Sequence, residues 1–226
     1  MKINIITAFP EFFKSPLDTS IIKKGIEKGK IKIEIFNLRD FSNNKHKRID
    51  DYPYGGGPGM VLMVEPIFNA VNEIKEKNNK LKTKVILLSP QGERLTQPKV
   101  REISKEENLI LICGHYKGVD ERVKKFIDEE ISIGDYILSG GELPVLVIID
   151  SVVRLIPGII GDIESANTDS FETGLLDYPH YTKPRIFMEE EVPSVLLSGD
   201  HKKIEEWKER MSHLRTTEKR NDLLES

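Results

Sequence analysis

Short apolar segments of strand length alternate along this chain with segments of helical periodicity. Four of them are predicted strands: residues 2–7, 31–36, 84–89 and 109–113. The last two are almost continuously apolar, which is typical of strands buried on both faces of a parallel sheet. Between the first two strands, Asp18 is the predicted N-cap of a helix that Gly29 closes. A chain that alternates strands and helices in this way is expected to fold as an α/β protein.

The composition is that of a globular protein, with one large domain or with one domain and a small appendage. Of the 226 residues, 38% are hydrophobic and 31% are charged, which excludes a disordered chain. The single cysteine, Cys113, excludes an internal disulfide and a multi-cysteine metal site, and it is predicted to be buried near a strand end. The sequence shows neither a signal peptide nor a segment of membrane-spanning length, so a cytoplasmic protein without a membrane partner is expected.

Charge does not by itself identify a partner. The net charge is −3, whereas affinity for nucleic acid usually shows as an excess of Lys and Arg. Basic residues nevertheless concentrate in segments 45–48 and 201–220, and the second segment has a net charge of +3 from seven basic and four acidic residues. On charge alone, both segments are interpreted as solvated surface.

Three consecutive predicted strands end in polar turns that contain glycine or proline. These turns comprise residues 89–92, 114–118 and 138–141. Because the carboxyl ends of parallel strands meet at one edge of a sheet, the three turns are expected to lie together, where open α/β sheets bind ligands. Together they favour a ligand-binding edge over plain connections.

The third turn belongs to segment 133–144, which is interpreted as a strand end that breaks at Gly140-Gly141 and becomes a helix. Glu142 suits the positive end of the helix dipole, and proline is tolerated in a first turn. The helix, predicted to run to Pro157, is apolar nearly all round, so it is expected to be buried in the sheet core or against another subunit. Arg154 is the basic exception, and a surface pair with Asp150 is the simplest interpretation of it.

Segment 37–64 shows no helical or strand periodicity, and loops of this length are usually functional. It has neither the Gly-Lys-Ser/Thr of a P-loop nor the third glycine of a dinucleotide fingerprint. Its basic run, aromatic residues and glycines would suit single-stranded RNA, and a surface excursion without function explains them equally well.

Segment 158–177 is a break in composition and is interpreted as a linker. After it, Asp200 is the predicted N-cap of a helix. Ile204, Trp207, Met211 and Leu214 recur there with helical spacing. We interpret this stripe as a core seam.

Seven motifs along the chain resemble, in this order, those of the bacterial tRNA (guanine-N1)-methyltransferase family of the SPOUT superfamily. They are Tyr-Gly-Gly-Gly-Pro-Gly-Met (54–60), Leu-Ser-Pro-Gln-Gly (88–92), Cys-Gly-His-Tyr-Lys-Gly-Val-Asp-Glu-Arg (113–122), Ser-Ile-Gly-Asp-Tyr-Ile-Leu-Ser-Gly-Gly-Glu-Leu-Pro (132–144), Asp-Ser-Phe (169–171), Pro-His-Tyr-Thr (179–182) and Leu-Leu-Ser-Gly (196–199). The resemblance covers nearly the whole chain.

The resemblance implies an α/β SPOUT-type parallel sheet with a C-terminal trefoil knot, plus a small helical C-terminal domain. It implies a methyltransferase domain at 1–160, a flexible linker at 161–177 and a tRNA-binding domain at 178–226. The expected protein is a homodimer with the active site at the subunit interface. It would transfer a methyl group from S-adenosylmethionine to N1 of guanine 37, in the anticodon stem-loop of tRNA, and so support the reading frame.

The resemblance also carries roles onto individual residues. The cofactor-binding set is Leu88, Ser89, Pro90, Gln91, Gly114, Tyr116, Gly118, Ile133, Gly134, Asp135, Tyr136, Ile137, Leu138, Gly140, Gly141 and Pro144. The expected tRNA-binding set is Lys45, His46, Arg48, Pro58, Gly59, Lys202, Lys208 and Arg215. Asp169 is the expected general base, disordered until tRNA binds, with Asp177 a weaker alternative, and Arg154 is its catalytic partner. Mg²⁺ is a further possible cofactor, for which no ligand is identified.

Two residues depart from the family pattern. Lys117 stands where the family commonly has Glu, and His115 stands where Arg is frequent. Because a lysine reverses the charge, the role of that glutamate does not carry over. Lys117 is the chief reason to keep open an RNA-binding protein that has kept the fold and lost turnover. A different α/β enzyme with a nucleotide cofactor is favoured only if the motifs are discounted.

Overall fold

The strands and helices follow one another as an α/β chain. In the computed structural model, which describes residues 1–161 and 168–225, the strands are β1 (Lys2–Thr7), β2 (Lys32–Asn37), β3 (Asp50–Asp51), β4 (Val61–Leu62), β5 (Thr83–Arg94), β6 (Asn108–Cys113), β7 (Glu129–Ser132), β8 (Ile186–Phe187) and β9 (Glu190–Glu191). The α-helices are α1 (Lys14–Leu17), α2 (Ser20–Glu27), α3 (Val64–Lys77), α4 (Gln97–Ile103), α5 (Glu142–Val153) and α6 (His201–Lys219). Short 3-10 helices span Pro10–Phe13, Leu38–Phe41, Glu121–Lys125, Ser194–Leu197 and Asn221–Leu224.

Five parallel strands form the central sheet in the order β2-β1-β6-β5-β7. Every residue of the middle strand, β6, is buried. Leu109 and Leu111 pack into the core on one face of the sheet, and Ile110 and Ile112 pack into the core on the other, because successive side chains of a strand point to opposite faces. The prediction of an α/β protein with a parallel sheet is confirmed.

Helices cover both faces of this sheet. The first core contains Ile148, Ile149 and Val152 of α5, together with buried residues of α2 and α4. The second core contains the apolar face of α3, which is Ile67, Ala70, Val71 and Ile74. These four residues recur at helical spacing, and all of them are buried. The sheet is therefore sandwiched between two helical layers, and only its edges are left for polar loops.

Two predicted boundaries were wrong: the N-cap of α2 and the carboxyl end of β5. The N-cap of α2 is Thr19, because Asp18 instead closes the short preceding helix α1. Strand β5 does not end at Ser89 but continues to Arg94, with a register shift between Leu88 and Glu93 where it pairs with β7. Residues 89–92 therefore form a bulge within β5, at the edge of the sheet.

The segment from 133 to 144 also differs from its interpretation. Strand β7 ends at Ser132, well before Gly140, because Gly134 takes a backbone φ of +148° and exchanges hydrogen bonds with the Ser132 hydroxyl. An open loop then leads to α5, which begins at Glu142 and ends at Val153, before the predicted Pro157. The glycine pair starts the helix and does not end the strand.

The long segment 37–64 is folded back on itself. Asp50–Asp51 of β3 pairs with Val61–Leu62 of β4, which closes residues 52–60 into a loop. Leu62 also donates a backbone hydrogen bond to the Gly118 carbonyl at 3.0 Å, and Lys117 donates one to the Met60 carbonyl at 3.0 Å. The loop is thus attached to the turn that follows β6.

The chain divides into two compact units, Met1–Gly161 and Asp162–Ser226. The predicted linker, 161–177, falls at this division, and its residues 162–167 lie outside the described part of the chain. The predicted domain limits and the trefoil knot stay predictions. In the described residues, no helix has both the length and the apolar character needed to cross a membrane.

The second unit is built around α6. The Asp200 carboxylate accepts a hydrogen bond from the Lys203 amide at 3.2 Å, which confirms the predicted cap. Trp207 is buried, but Leu214 is 46% exposed, so the stripe predicted as a core seam was wrong at that position. Thr216 is buried instead, because its hydroxyl accepts a hydrogen bond from the Leu176 amide and fixes the preceding segment to the helix.

Candidate functional site

A cleft of about 370 Å³ opens at the carboxyl edge of the sheet, beyond β5, β6 and β7. Its volume lies in the range of roughly 300–1,000 Å³ that is usual for small-molecule sites. The three turns predicted from the sequence line it together. Every residue of the predicted cofactor-binding set except Asp135 is among the lining residues. Asp135 is exposed, and its carboxylate pairs with the Arg94 guanidinium.

The second and third turns are joined by their backbones. The Gly141 amide donates to the Gly114 carbonyl at 2.7 Å, and His115 and Gly140 form an antiparallel bridge. A Cβ at Gly141 would lie 2.7 Å from the Cys113 Cα, so only glycine permits this approach. The cleft wall is consequently formed largely by backbone, which can contact a flat ligand closely.

Another part of the cleft wall consists of apolar side chains that are exposed to solvent. Ile137 is 81% exposed, and Tyr136 and Leu138 are exposed as well. The Tyr136 hydroxyl donates to the Ile133 carbonyl at 3.4 Å, and its amide donates to the Gly134 carbonyl at 3.0 Å. Apolar side chains that lie open beside a cleft indicate a site that a ligand or a second chain covers.

Five ionisable residues on the cleft lining were not predicted as site residues. They are His115, Lys117, Glu121, Lys124 and Glu130. The Lys124 ammonium lies 3.0 Å from Glu121 and 3.6 Å from Glu130, and its hydrogen bond to Glu121 raises the pKa of Lys124. Alternation of side chains along β7 could have predicted that Glu130 lies on the cleft lining. The position of Lys117 next to the predicted site residue Tyr116 could have predicted the same for Lys117.

A buried carboxylate lies next to the glycine pair. Glu142 is 5% exposed, and its Oε1 accepts a hydrogen bond of 2.7 Å from the Thr7 hydroxyl at the end of β1. Burial, and then the charge of Glu142, raise the pKa of the Cys113 thiol well above its ordinary value. Cys113 is therefore a neutral buried side chain, as predicted, and Glu142 does more than complement the helix dipole.

The chain matches the family described as tRNA (Guanine-1)-methyltransferase TrmD over residues 1–226. It is 53% identical over 225 residues to a tRNA (guanine-N(1)-)-methyltransferase of Dictyoglomus turgidum, covering 100% of this chain and 90% of that protein. Proteins of the same name from Carboxydothermus hydrogenoformans and Thermosipho melanesiensis are 56% and 55% identical, covering 99% of this chain and 87% and 89% of their own lengths.

The chain belongs to this tRNA (guanine-1)-methyltransferase family. Identity above 50% along the full length, together with the order of the seven motifs, confirms the resemblance drawn from the sequence. Membership concerns both compact units, since the matched residues run from 1 to 226. The cleft therefore lies within the part of the chain that these relatives share.

The residues expected to catalyse the reaction in this methyltransferase family lie in different units. Arg154 is half-buried at the C-cap of α5, where its amide donates to the Asp150 carbonyl at 3.3 Å. Asp169 is half-buried in a turn, and its carbonyl accepts a hydrogen bond from the Glu172 amide at 3.3 Å.

Asp177, the alternative base, has both carboxylate oxygens engaged, with the Tyr178 amide at 2.8 Å and the His180 ring at 2.7 Å. These contacts hold the chain that leads to α6. They indicate a structural part for Asp177.

The predicted tRNA-binding residues differ in their surroundings. Lys45, His46, Pro58 and Lys202 are exposed, and Arg48 is 3.8 Å from Asp51. A Cβ at Gly59 would lie 2.8 Å from Lys117 Cγ, so Gly59 lies against the Lys117 stem.

Two members of the set are engaged within the second unit. The Lys208 ammonium pairs with Glu205 at 2.6 Å and lies over the Tyr178 ring, while Arg215 donates to the Asp177 carbonyl at 3.3 Å. Both cations hold segment 177–178 against α6. Arg210, which borders an open depression beside Trp207, is an exposed cation that was not among the predicted tRNA-binding residues.

No group of three or more His, Cys, Asp or Glu side chains that could hold a metal ion occurs in the described parts of the chain. A dependence on Mg²⁺ stays a prediction.

Proposed function

We propose that this protein methylates N1 of a guanine in tRNA, at position 37, with S-adenosylmethionine as the methyl donor. The observation that carries the proposal is the cleft at the sheet edge, whose lining coincides with the turns that the family resemblance assigns to the donor. A pocket at the carboxyl ends of parallel strands is where open α/β sheets bind nucleotide-like ligands.

The cleft fits the chemistry of the donor. Its backbone-rich wall at Gly114, Gly140 and Gly141 suits close contact with a flat adenine ring. Its mixed ionisable lining of Lys117, Glu121, Lys124 and Glu130 suits a molecule that carries a sulfonium, an ammonium and a carboxylate. When bound, the donor supplies a methyl group activated by the positive sulfur.

Asp169 would act at the acceptor base. N1 of guanine carries a proton at neutral pH, so a general base must remove it as N1 becomes the nucleophile. As that proton leaves, negative charge grows on O6, where the Arg154 guanidinium would donate hydrogen bonds. Both Asp177 oxygens already accept hydrogen bonds within the second unit, so Asp177 remains the weaker alternative for the base.

A homodimer is part of the proposal. On α5, Leu143 is 48% exposed and Val147 is 44% exposed, one turn apart on the same face. Exposed apolar side chains on an otherwise buried helix are unfavourable unless another surface covers them. Pro144, beside Leu143, lines the cleft. A second subunit on this face would complete the site that the first subunit leaves open.

The closed loop 52–60 and α6 supply the proposed tRNA contacts. Tyr52 and Tyr54 are exposed, and exposed aromatic rings can stack on unpaired bases. The exposed Lys45 ammonium and His46 imidazole, nearby in the chain, can donate hydrogen bonds to phosphates. Backbone hydrogen bonds to Gly118 and Lys117 attach the loop, within the first unit, to the turn that lines the cleft.

Primer extension on an unmodified tRNA transcript tests the function. We expect a stop at guanine 37 that depends on both protein and S-adenosylmethionine, and no stop in a transcript with adenine at that position. Tight tRNA binding without a stop would support the RNA-binding protein without turnover. Donor-dependent methylation at another nucleotide would overturn position 37 while retaining the methyltransferase.

A further inference from the structure

The segment that carries Asp169 is folded back on itself within the second unit. Residues 169–177, here called the Asp169 loop, are closed by a hydrogen bond of 2.9 Å from the Asp177 amide to the Ser170 hydroxyl. Ser170 is next to Asp169 in the chain. The position of Asp169 therefore depends on where the far end of the loop is held.

Two hydroxyls of α6 hold that far end. The Thr216 hydroxyl accepts a hydrogen bond from the Leu176 amide at 2.9 Å, and the Ser212 hydroxyl donates to the Leu176 carbonyl. Ser212 and Thr216 lie one turn apart on the same face of the helix. Thr216 is 0% exposed, and its own proton goes to the Ser212 carbonyl at 2.8 Å, which leaves the oxygen lone pairs for Leu176. Both main-chain polar groups of Leu176 are thus paired with α6.

The near end of the loop is held as well, at Phe171. Its backbone φ is +76°, a conformation that is unfavourable for a bulky residue and persists only where surrounding contacts impose it. The Phe171 amide donates to the Leu175 carbonyl at 2.7 Å, and the Arg220 guanidinium lies 5.7 Å from the centre of the Phe171 ring. Two hydrogen bonds to the Asp222 carboxylate, of 2.8 and 2.7 Å, orient that guanidinium. Because Arg220 directly follows α6, both ends of the loop are fastened to this helix.

We propose that Thr216 and Ser212 are positioning residues for methyl transfer, whose bonds to Leu176 hold the Asp169 loop so that the Asp169 carboxylate reaches N1 of the guanine. This rests on the proposed function, in which Asp169 is the general base. Proton transfer requires the base within hydrogen-bond distance of the proton, and a displacement of about 1 Å can lower a rate about a hundredfold. Helix α6 would thus serve the chemical step in addition to tRNA binding.

Substitution of Thr216 in the full-length protein tests this. T216V replaces the hydroxyl by a methyl group of similar size and removes the acceptor for the Leu176 amide, whereas T216S keeps that acceptor. T217V is the matched control, because Thr217 is exposed and its hydroxyl donates to the His213 carbonyl within α6 at 3.0 Å. At saturating tRNA and S-adenosylmethionine, we expect T216V to lower the single-turnover methylation rate about ten- to a hundredfold. T216S and T217V should keep the native rate.

Two further measurements separate positioning from a general loosening of the second unit. The Kd values of T216V for S-adenosylhomocysteine and for tRNA should stay native, whereas a loosened unit would bind tRNA more weakly. In a D169N background, T216V and T217V should have equal residual rates, because a residue that acts through the base has no effect once the base is absent.

Equal rates of T216V and T217V with Asp169 present would overturn the proposal, and so would a loss from T216V in D169N as large as the loss with Asp169 present. If T216V does not fold, S212A, which removes only the donor to the Leu176 carbonyl, decides by the same comparisons. Native protein that shows no methylation dependent on S-adenosylmethionine would instead refute the proposed function.

Discussion

Asp169 and Asp177 are both carboxylates of the segment that precedes α6. Asp177 is committed to its contacts with Tyr178 and His180. We expect D169N to lower the methylation rate by at least about a hundredfold, the usual contribution of a general base, and to leave the donor Kd unchanged. Single-turnover methylation and calorimetry measure the two effects.

E172Q is the matched control for D169N, because it removes a carboxylate three positions along in the same turn. It should retain the native rate. A D169N protein with native single-turnover kinetics would remove Asp169 from proton transfer and leave Asp177 to be tested.

Gly140 is a position on the cleft lining at which a single methyl group should disturb the donor site. The added Cβ of G140A would collide with Glu142 Oε2 and lie 2.6 Å from His115 Cδ2. We expect G140A to raise the donor Kd at least tenfold, or about 1.4 kcal/mol. At Gly161 an added Cβ would meet no atom of the described residues within 4 Å, so G161A should bind the donor as the native protein does.

Helix α4 is fastened to the sheet by ion pairs. Glu102 pairs with Lys84 of β5 at 2.6 Å and with Lys99 at 3.1 Å. The hydrogen bond from Lys84, followed by that from Lys99, lowers the pKa of Glu102 from 4.5 to about 2. The folded protein therefore binds the Glu102 proton more weakly than the unfolded chain does. The contribution of Glu102 to stability is fully present above pH 4.5 and is lost as the pH falls toward 2.

Thermal melts of E102Q across that range test the link between α4 and the sheet. As the pH falls from about 5 to about 2.5, the melting temperature of the native protein should fall further than that of E102Q. E73Q, which breaks an ion pair with Lys77 within α3, is the control and should follow the native curve. Parallel curves for native protein and E102Q would show that these pairs add nothing, as surface pairs often do.

At the scale of the whole molecule, the exposed face of α5 should decide the oligomeric state. V147D places a charge on that face, and we expect it to convert a dimer to a monomer and to lower the methylation rate at subunit concentrations where the native protein is active. Light scattering after size exclusion measures the mass. L81D, which places a charge at an exposed apolar residue outside α5, should remain dimeric. A native protein that is already monomeric would refute the dimer.

The second unit depends on Trp207, which is buried between α6 and the segment that carries Tyr178. Truncation of a buried Trp to Ala typically costs about 3–5 kcal/mol. We expect W207A to weaken tRNA binding severely while donor binding in the first unit is retained. F187A, at an exposed aromatic, should bind both ligands normally. Loss of donor binding in W207A would show that the two units do not act separately.

Much of the first unit follows from local pattern. Strand β1 and the buried face of α3 have the limits and members that periodicity indicates, because alternation and helical spacing act between near neighbours in the chain. The meeting of the three turns was also predictable, since parallel strands direct their carboxyl ends to one edge. Strand ends were less predictable: β7 stops at Ser132 because the backbone of Gly134 reverses there.

Only the tertiary structure decided which polar residues are committed to the fold. Glu142 receives its hydrogen bond from Thr7, 135 positions away, and no local spacing indicates that partner. Lys208 and Arg215 have the charge of RNA-binding residues, yet they contact Tyr178 and Asp177. Side-chain chemistry and short-range periodicity are properties of the sequence alone, whereas burial and pairing depend on which distant segments the folded chain brings together.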